Sequence, residues 1–338
     1  MPTKPNGTRA RAVVLATVAN TTIVRTDTAR RRHIRRESTR AAVCREPPAL
    51  PCGVVPEASV AVVIPTRNRA EYLRTTLRSL AAQDVASAYQ VFVVDDGSND
   101  NTGEVATRCG AAYIRHEQPR GINVARNAGV RASAAPLITF LDDDVYAPPG
   151  WLAAIVAGAE RYDNADAFGG PIRAVFEGRA PNGCGREAPP ITTLDLGRHD
   201  TDADMVWGTN MAIRRRAFER VGAFDDALHS HGDEEEWLLG LRADGGRIVY
   251  LAAAGVEHLR VGRDVRLPAL LRAAYGRGRA ARDTDERRGH APSPRAELRT
   301  LAGCAWHTAR YRCAQGPIMA AHSAGRLAGA LRGTHPAR

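Results

Sequence analysis

From residue 58 onward, apolar positions alternate between short continuous runs and helical spacings. The runs Ser59–Ile64, Gln90–Val94 and Pro136–Leu141 are rich in Val, Ile, Leu and Phe, which is typical of strands buried on both faces. Between Glu71 and Gln83 the apolar residues recur every three or four positions, which predicts a helix. The same pattern predicts further helices at Thr102–Cys109, Asn123–Ala134, Pro149–Tyr162, Arg214–Val221 and Glu234–Arg242, and further strands at Ala111–Ile114, Ala167–Gly170 and Arg247–Leu251. Strands that alternate with helices predict an α/β fold with a doubly wound, mostly parallel sheet.

The two ends of the chain differ from this middle part. Residues 1–56 lack periodicity and hold an arginine cluster and several prolines, so we predict a mobile basic tail. The apolar stretch Ala12–Ala19 is short and no clear cleavage site follows it, so we do not expect an export signal. We place the α/β domain at 57–262, with a long loop over Glu177–Thr201, and a basic helical extension at 263–338. The helices of this extension are predicted at Pro268–Arg282, Arg295–Arg312 and near Ile318–Leu331, with a polar stretch over Asp283–Pro294.

Composition narrows the functional classes. The chain has 338 residues, of which 44% are hydrophobic, so it is not a mostly disordered protein. No apolar run approaches the length of a membrane-spanning helix. The 6 cysteines form no CxxC pair, which argues against a zinc ribbon or a disulfide scaffold and favours reduced thiols in the cytoplasm.

The net charge of +10 is unevenly distributed. Residues 1–56 carry +8, residues 57–259 carry −9 and residues 260–338 carry +11. A nucleic-acid-binding protein would interleave Arg with aromatic residues on one face, whereas this middle part is acidic and aromatic residues make up 5% of the chain. We therefore expect no specific nucleic-acid partner. We expect the basic C-terminal helices to contact an anionic membrane surface or an anionic acceptor, with the protein in the cytoplasm, peripheral at the inner face of the membrane.

Polar clusters follow three of the predicted strands: Pro65-Thr66-Arg67-Asn68, Asp95-Asp96-Gly97-Ser98 and Asp142-Asp143-Asp144. In a doubly wound sheet the carboxyl ends of strands form the ligand-binding rim, so these clusters should converge. Three adjacent aspartates repel one another unless a cation compensates, and Mg²⁺ or Mn²⁺ prefers carboxylate and phosphate oxygens. The alternative is a helix N-cap ahead of Pro148-Pro149. The location at a strand end favours a metal–diphosphate site.

Other clusters leave alternatives open. Asp95-Asp96 is either a turn or a pair of carboxylates that accept from a uracil or thymine N3–H or from ribose hydroxyls. The acidic run Asp233–Glu236 either complements a helix N-terminus or contains a general base. His258 follows a strand and is a candidate metal ligand. Further candidates are Trp207 as an aromatic platform, and Arg120 and Arg126 as phosphate-binding cations.

The order of the motifs resembles the GT-A glycosyltransferases of family 2. The resemblance spans about residues 59–280 and rests on motifs that are weak singly and specific together: Val-Ile-Pro65-Thr66-Arg67-Asn68-Arg69, Val-Val-Asp95-Asp96-Gly97-Ser98, Ala125-Arg126-Asn127-Ala128-Gly129, Phe-Leu-Asp142-Asp143-Asp144, Gly208-Thr209-Asn210-Met211-Ala212, Val221-Gly222-Ala223-Phe224-Asp225, Gly232-Asp233-Glu234-Glu235-Glu236 and His258. The resemblance implies a GT-A type, Rossmann-like fold. It also implies an inverting transferase that uses a nucleotide-diphosphate sugar and a divalent metal, Mg²⁺ or Mn²⁺.

The resemblance also assigns roles. It implies Glu234 as the general base, with Asp233 as the alternative, and Asp144, Asp142 and His258 as metal ligands. Implied nucleotide-binding residues are Pro65, Thr66, Arg67, Arg69, Asp95, Asp96, Arg126, Asp142 and Asp143, and the sugar or acceptor pocket is implied to include Trp207, Gly208, Asn210 and Glu236.

Some positions depart from the family pattern. Three consecutive aspartates leave the metal ligand open between Asp143 and Asp144, and the catalytic pair reads Asp-Glu where the family has Glu-Asp. Gly240 stands where the family commonly has Arg. The altered pair keeps open a nucleotide-sugar-binding protein without turnover. A nucleotidyltransferase would need a Gly-rich triphosphate loop, which we do not find. We expect a UDP- or dTDP-type donor and a hydroxyl acceptor on a glycan, a lipid carrier or a small molecule.

Overall fold

The computed structural model describes residues 58–178, 191–228 and 233–332. The predicted tail over 1–56 and residues 179–190 of the predicted loop over Glu177–Thr201 lie outside these ranges. The strands are β1 (Val60–Thr66), β2 (Tyr89–Asp95), β3 (Ala112–Arg115), β4 (Leu137–Leu141), β5 (Val145–Tyr146), β6 (Ala167–Gly169), β7 (Ile172–Phe176), β8 (Thr201–Asp202), β9 (Asn210–Arg214), β10 (Ile248–Tyr250) and β11 (Val256–Arg260). The helices are α1 (Ala70–Ala81), α2 (Thr102–Arg108), α3 (Ile122–Ala132), α4 (Trp151–Arg161), α5 (Arg215–Val221), α6 (Asp233–Ala243), α7 (Leu267–Arg287), α8 (Pro294–Tyr311) and α9 (Gly316–Arg332).

An eight-stranded sheet in the order β3-β2-β1-β4-β9-β6-β10-β8 forms the centre of the described fold. Its middle strand β1 is buried at every position. Val60, Val62 and Ile64 pack into the apolar layer formed with α1, α2 and α4. Ala61 and Val63 pack into the opposite layer, formed with α3, α5 and α6. Because successive strand residues point to opposite faces, both faces of the sheet are covered and the predicted doubly wound α/β fold is confirmed.

Strand β9 was not predicted from the sequence. It runs antiparallel to both β4 and β6, so the sheet is mostly parallel and not wholly so. Its sequence Asn210-Met-Ala-Ile-Arg214 lies just ahead of helix α5 and is apolar only at its three central positions, which is too short a run to separate from a helix start. This strand carries the Gly208-Thr209 segment to the rim of the sheet.

A second, three-stranded sheet in the order β5-β11-β7 sits beside the rim. None of its strands was predicted. In the β5–β11 pair, His258 lies opposite Val145, and the Leu259 N–H donates to the Asp144 carbonyl oxygen at 2.8 Å. This register brings His258 next to the end of the aspartate triplet.

The helices α7, α8 and α9 pack together at the C-terminal side. A Cβ added to Gly278 would lie 2.0 Å from the His322 carbonyl oxygen, and one added to Gly325 would lie 2.1 Å from the Tyr275 carbonyl oxygen. These two glycines therefore allow the backbones of α7 and α9 to approach closely. Helix α7 runs further than predicted, through Arg287, and Asp285 in this extra part pairs with Arg326 of α9 at 2.7 Å.

The C-terminal helices are joined to the α/β domain by charged contacts. Arg288, which caps α7, donates to Glu235 and to Glu236 of α6, both at 2.9 Å. Tyr72 of α1 donates to Asp264 at 2.9 Å. Among the helices that the structure describes, none combines the length and apolar character needed to cross a bilayer.

Candidate active site

A cleft of about 330 Å³ lies where β1, β2 and β4 end. This is the position expected for a ligand site in a doubly wound sheet. The residues that line it are Pro65, Thr66, Arg67, Arg69, Asp96, Ile122, Ala125, Asp142, Asp143, Asp144, Thr192, His258, Arg260 and Arg277. The three strand-end clusters singled out in the sequence therefore meet in one cleft.

The three aspartates after β4 make different contacts. Asp142 accepts from the Thr209 hydroxyl at 2.7 Å. Asp143 accepts from the Thr66 hydroxyl at 2.7 Å and pairs with Arg69 at 3.1 Å. Asp144 accepts from Arg69 at 2.8 Å and pairs closely with Arg260. The middle carboxylate is thus held within the protein, and the two outer ones remain close to His258.

Asp142, Asp144 and His258 each offer one ligand atom, and these atoms all lie within 4.8 Å of one another. His258 Nδ1 lies 3.1 Å from the Thr192 carbonyl oxygen. Because a carbonyl only accepts, Nδ1 donates to Thr192, and Nε2 is the ring nitrogen that faces Asp144.

The arrangement fits a divalent metal. Oδ1 of Asp144 lies 3.1 Å from His258 Nε2, yet it is buried without a hydrogen-bond donor among the described residues. A carboxylate oxygen and an imidazole nitrogen that lie this close together suit a cation between them, because Nε2 offers a lone pair to a metal once it carries no proton. One nitrogen and two carboxylate oxygens are a donor set that Mn²⁺ accepts, and Mg²⁺ uses the carboxylates.

The charges around the cleft set the protonation of the carboxylates. Burial alone would raise the pKa of Asp144, but His258, Arg69 and Arg260 together lower it well below the usual range. Burial raises the pKa of Asp143 against the opposing charge of Arg69. Asp144 is therefore a permanent anion in the folded protein, which suits a metal ligand.

Asp96 and Asp95 have separate roles at the end of β2. Asp96 lines the cleft and accepts from the backbone N–H groups of Arg120 and Gly121, at 2.8 and 2.9 Å, while His116 lies 2.9 Å away. Burial opposes these hydrogen bonds, but their balance lowers the pKa of Asp96. Asp95 is fully buried, does not line the cleft, and binds Tyr113 and the Ser98 N–H. Of the two carboxylates, Asp96 is therefore the one that faces the cleft, and Asp95 makes contacts within the protein.

Glu234, near the start of α6, is held by two groups. It accepts from the Gly208 N–H at 3.2 Å, and Arg126 Nη1 lies 3.5 Å from its Oε2. Arg126 is buried, so it faces this carboxylate and does not line the cleft. The next residue after Gly208, Thr209, donates to Asp142. A single dipeptide therefore links the candidate base to the candidate metal site.

The other predicted pocket residues lie elsewhere. Asn210 is fully buried; its side chain accepts from Trp151 at 2.9 Å and donates to the Ala254 carbonyl at 2.8 Å. Trp207 is half-buried and packs on the apolar layer. Glu236 binds Arg288. None of these three lines the cleft, and the side chain of Asp233 lies outside the described residues.

The sequence analysis missed two of the arginines that line the cleft, Arg260 and Arg277. Arg260 lies two positions after His258 on β11, so the alternation of side chains along a strand places both on one face. A prediction of β11 would therefore have identified Arg260 as well. Arg277 comes from α7 of the C-terminal helices, and nothing in its local sequence distinguishes it from its arginine neighbours. Arg260 and burial both lower the pKa of Arg277, with burial the larger effect. Two facing cations at a cleft favour an anionic ligand.

Comparison with known proteins agrees with this geometry. The glycosyltransferase AglE of Haloferax volcanii is 29% identical over 185 residues, covering 52% of this chain and 58% of AglE. The pre-mycofactocin glycosyltransferase of Mycobacterium tuberculosis is 31% identical over 209 residues, covering 59% of this chain and 42% of that protein. This chain thus spans about half of the length of the curated relatives it matches.

Two solved structures share the fold. The mannosyltransferase PcManGT from Pyrobaculum calidifontis, in complex with GDP-Man and Mn²⁺, has a TM-score of 0.50 at 19% identity and covers 82% of this chain and 76% of its own. GalNAc-T7 with UDP, GalNAc and Mn²⁺ has a TM-score of 0.50 at 17% identity and covers 64% of this chain and 47% of its own. The fold is therefore of the GT-A type. The model of glycosyl transferase family 2 matches residues 61–222, so this segment is similar to that family.

Proposed function

We propose that this protein transfers a sugar from a nucleotide-diphosphate sugar to an acceptor hydroxyl, with inversion at the anomeric carbon. The observation that carries the proposal is the convergence of Asp142, Asp144 and His258 within 4.8 Å at the sheet rim. The carboxylate of Asp143 and the cations Arg69 and Arg260 lie next to this cluster. Cations at this position are suited to the negative charge of a diphosphate. Both structural neighbours named above were solved with Mn²⁺ and a nucleotide or nucleotide sugar, which supports this donor class.

The donor would lie along the cleft. Asp96 accepts two backbone N–H groups, and each carboxylate oxygen has further lone pairs, so it is suited to accept an N3–H from uracil or thymine. We therefore propose a UDP- or dTDP-type donor. Thr66 and Arg67 line the same cleft as Asp96.

Arg260 and Arg277 are suited to bind the diphosphate. Both line the cleft, and the electrostatic effect of Arg260 lowers the pKa of Arg277. Arg277 has no carboxylate partner among the residues that the structure describes. A diphosphate between the two guanidinium groups would relieve their repulsion and gain charge-assisted hydrogen bonds. Helix α7 thus contributes to the donor site, although it lies outside the segment that the family model matches.

Asp142, Asp144 and His258 would hold the divalent metal, which supplies neutralisation of the charge that develops on the leaving diphosphate. Asp143 is not placed to join them, because Thr66 and Arg69 occupy its oxygens. We therefore propose Asp142 and Asp144 as the metal-binding aspartates of the triplet.

We propose Glu234 as the general base. Its carboxylate would accept the proton of the acceptor hydroxyl while that oxygen attacks the anomeric carbon opposite the leaving diphosphate. A single displacement of this kind inverts the anomeric configuration. Arg126 and the Gly208 N–H fix the carboxylate, and the Gly208-Thr209 segment fixes its distance from Asp142. Asp233 is the alternative base at the same helix start.

A donor panel tests the proposal directly. The protein is incubated with UDP-, dTDP- and GDP-sugars, with and without Mn²⁺, and release of nucleoside diphosphate is measured. We expect slow hydrolysis of one UDP- or dTDP-sugar that depends on Mn²⁺, and faster release when an acceptor glycan, lipid or small molecule is added. Donor binding with no release under any condition would instead identify a nucleotide-sugar-binding protein without turnover.

A further inference from the structure

The outer face of α8 carries large apolar side chains in contact with solvent. Trp306 is 61% exposed, Leu298 56% and Tyr311 53%. The rings of Trp306 and Tyr311 lie edge to face with centroids 5.8 Å apart. Large exposed aromatic and aliphatic side chains that cluster on one surface indicate an interaction site.

Arginines surround these residues. Arg295, Arg299 and Arg310 are exposed, and they are spaced so that a helix places them on the same side as Trp306. The guanidinium carbon of Arg310 lies 5.5 Å from the Tyr311 ring centroid. We call Leu298, Trp306, Tyr311, Arg295, Arg299 and Arg310 the α8 patch.

The carboxylates of the C-terminal helices point away from the α8 patch. Glu297 is buried and accepts from Arg326 at 2.8 Å, and Asp285 pairs with the same arginine at 2.7 Å. Glu286 pairs with Arg282 at 2.6 Å. None of the described carboxylates pairs with an arginine of the α8 patch. The inward pairs cancel charge inside the helix packing and leave the outer face uniformly positive.

We propose that the α8 patch docks the protein on an anionic lipid bilayer. Trp and Tyr favour the headgroup region, where an apolar ring and a polar edge are both satisfied. Arginines on the same face bind anionic headgroups while their stems cover apolar surface. A helix with this pattern lies in the plane of the interface and does not span it. This inference concerns where the protein sits, and it goes beyond the proposed sugar transfer.

Two other binding partners fit the α8 patch less well than an anionic bilayer does. Residues 1–56 carry 11 basic and 3 acidic side chains, so that segment would be repelled by the arginines of the α8 patch. A second copy docked through the same patch would bring two positively charged faces together, because an isologous interface uses the same patch on both subunits. An anionic surface into which aromatic side chains can insert satisfies both the charge and the apolar residues.

The test uses the full-length protein and vesicles. Co-sedimentation is measured with vesicles of phosphatidylcholine alone and with vesicles that also contain phosphatidylglycerol, at low and high salt. We expect binding to the anionic vesicles only, weakened by salt. Arg299→Glu with Arg310→Glu should weaken it at least about tenfold, and Trp306→Ser with Tyr311→Ser should also weaken it. The matched control, Arg78→Glu with Arg131→Glu, makes the same charge change at exposed positions of α1 and α3.

Each outcome of the vesicle experiment either supports the docking proposal or overturns it. Loss of binding in the α8 variants, with binding kept in the control, supports the proposal. Equal loss in the control shows that only net charge matters and overturns it. Failure of the wild type to bind anionic vesicles at low salt also overturns it, as does patch-dependent binding to nucleic acid without binding to vesicles. Nucleotide-sugar hydrolysis in solution should be unchanged in the α8 variants, so this test is independent of the proposed reaction.

Discussion

Arg126 Nη1 lies 3.5 Å from Oε2 of Glu234, and this pair connects helix α3 to the start of α6. Gly208 makes the pair possible, because a Cβ there would lie 2.1 Å from Arg126 Nη2. The same Gly208 donates its N–H to the other oxygen of Glu234. The Glu234 carboxylate is therefore contacted from two directions, which suits its proposed role as a general base that meets one proton in one geometry.

Glu234→Gln should abolish sugar transfer while nucleotide binding is kept. The amide has nearly the shape of the carboxylate but cannot take a proton, so we expect a fall in kcat of about 10²–10⁴. Product formation and calorimetric binding of nucleoside diphosphate measure the two effects. Glu235→Gln is the matched control, because Glu235 binds Arg288. Near-full activity of Glu234→Gln with loss in Asp233→Asn would transfer the base role to Asp233.

Gly208→Ala should reduce activity without unfolding the protein. The added methyl would push Arg126 away and with it Glu234, and displacement of a reacting group by about 1 Å can cost on the order of 10² in rate. Gly240→Ala in α6 is the control, since its Cβ would meet only Val221 Cγ1, at 3.7 Å. We expect the control to keep its activity and to gain about 0.4–1 kcal/mol in unfolding free energy. Equal activity of the two variants in steady-state assays would refute the packing argument.

Removal of the metal should stop the reaction reversibly. EDTA is expected to abolish transfer and Mn²⁺ to restore it, if Asp142, Asp144 and His258 are the ligands. Asp144→Asn should weaken Mn²⁺ binding at least about 100-fold, whereas Asp143→Asn should leave it nearly unchanged because Asp143 is held by Thr66 and Arg69. Electron paramagnetic resonance of bound Mn²⁺ measures affinity apart from activity. A similar loss of affinity in both variants would contradict the assignment within the triplet.

Arg277→Ala should raise KM for the donor and weaken inhibition by the nucleoside diphosphate. Loss of a hydrogen bond between charged groups corresponds to about 10–100-fold in affinity. Arg272→Ala on the same helix is the control, because Arg272 is exposed and does not line the cleft. Unchanged donor KM in Arg277→Ala would remove α7 from the donor site and leave the assignment of Glu234 intact.

A pH-dependent stability difference should follow from Asp166. Burial opposes its ionisation, but Arg220, Arg216 and the Arg247 N–H lower its pKa below the ordinary 3.8. Its contribution to folding is therefore complete at neutral pH and is lost as pH falls through the folded-state value. Asp166→Asn should cost about 1–3 kcal/mol at pH 7 in urea unfolding, and the deficit should shrink in acid. Asp163→Asn, at an exposed neighbouring position, should show neither effect.

The buried strands and their polar ends could be predicted because strong local patterns specify them. β1 and β4 are apolar at nearly every position and end in polar clusters, so the rim and most of the cleft followed from strand direction alone. Four short strands could not be predicted, namely β5, β7, β9 and β11. They form because they pair with strands that are far away in sequence, and their own residues carry little strand signal. His258 was a candidate metal ligand from its place in the sequence and from the family resemblance, but its register opposite Val145 required the structure.

The roles of individual polar side chains were harder to predict than the location of the cleft. Asn210 and Asp95 stand in motifs that resemble binding segments, yet both make hydrogen bonds within the protein. Asn210 bonds to Trp151 and Ala254, and Asp95 bonds to Tyr113 and Ser98. Asp142 and Asp144 were predicted as the outer pair, and the structure distinguishes them from Asp143 by the contacts that each makes. Arg277 has no local signal, because its position depends on how the C-terminal helices pack on the α/β domain.

Helix α6 also anchors the C-terminal helices, through the contacts of Arg288 with Glu235 and Glu236. Glu234 faces Gly208 and Arg126, while the two residues that follow it hold the end of α7 through Arg288. One turn of helix therefore serves both the candidate base and the attachment of the C-terminal helices. A chimaera that exchanges these helices for those of a relative would keep its base in place only if it also inherits a cation that matches Glu235 and Glu236.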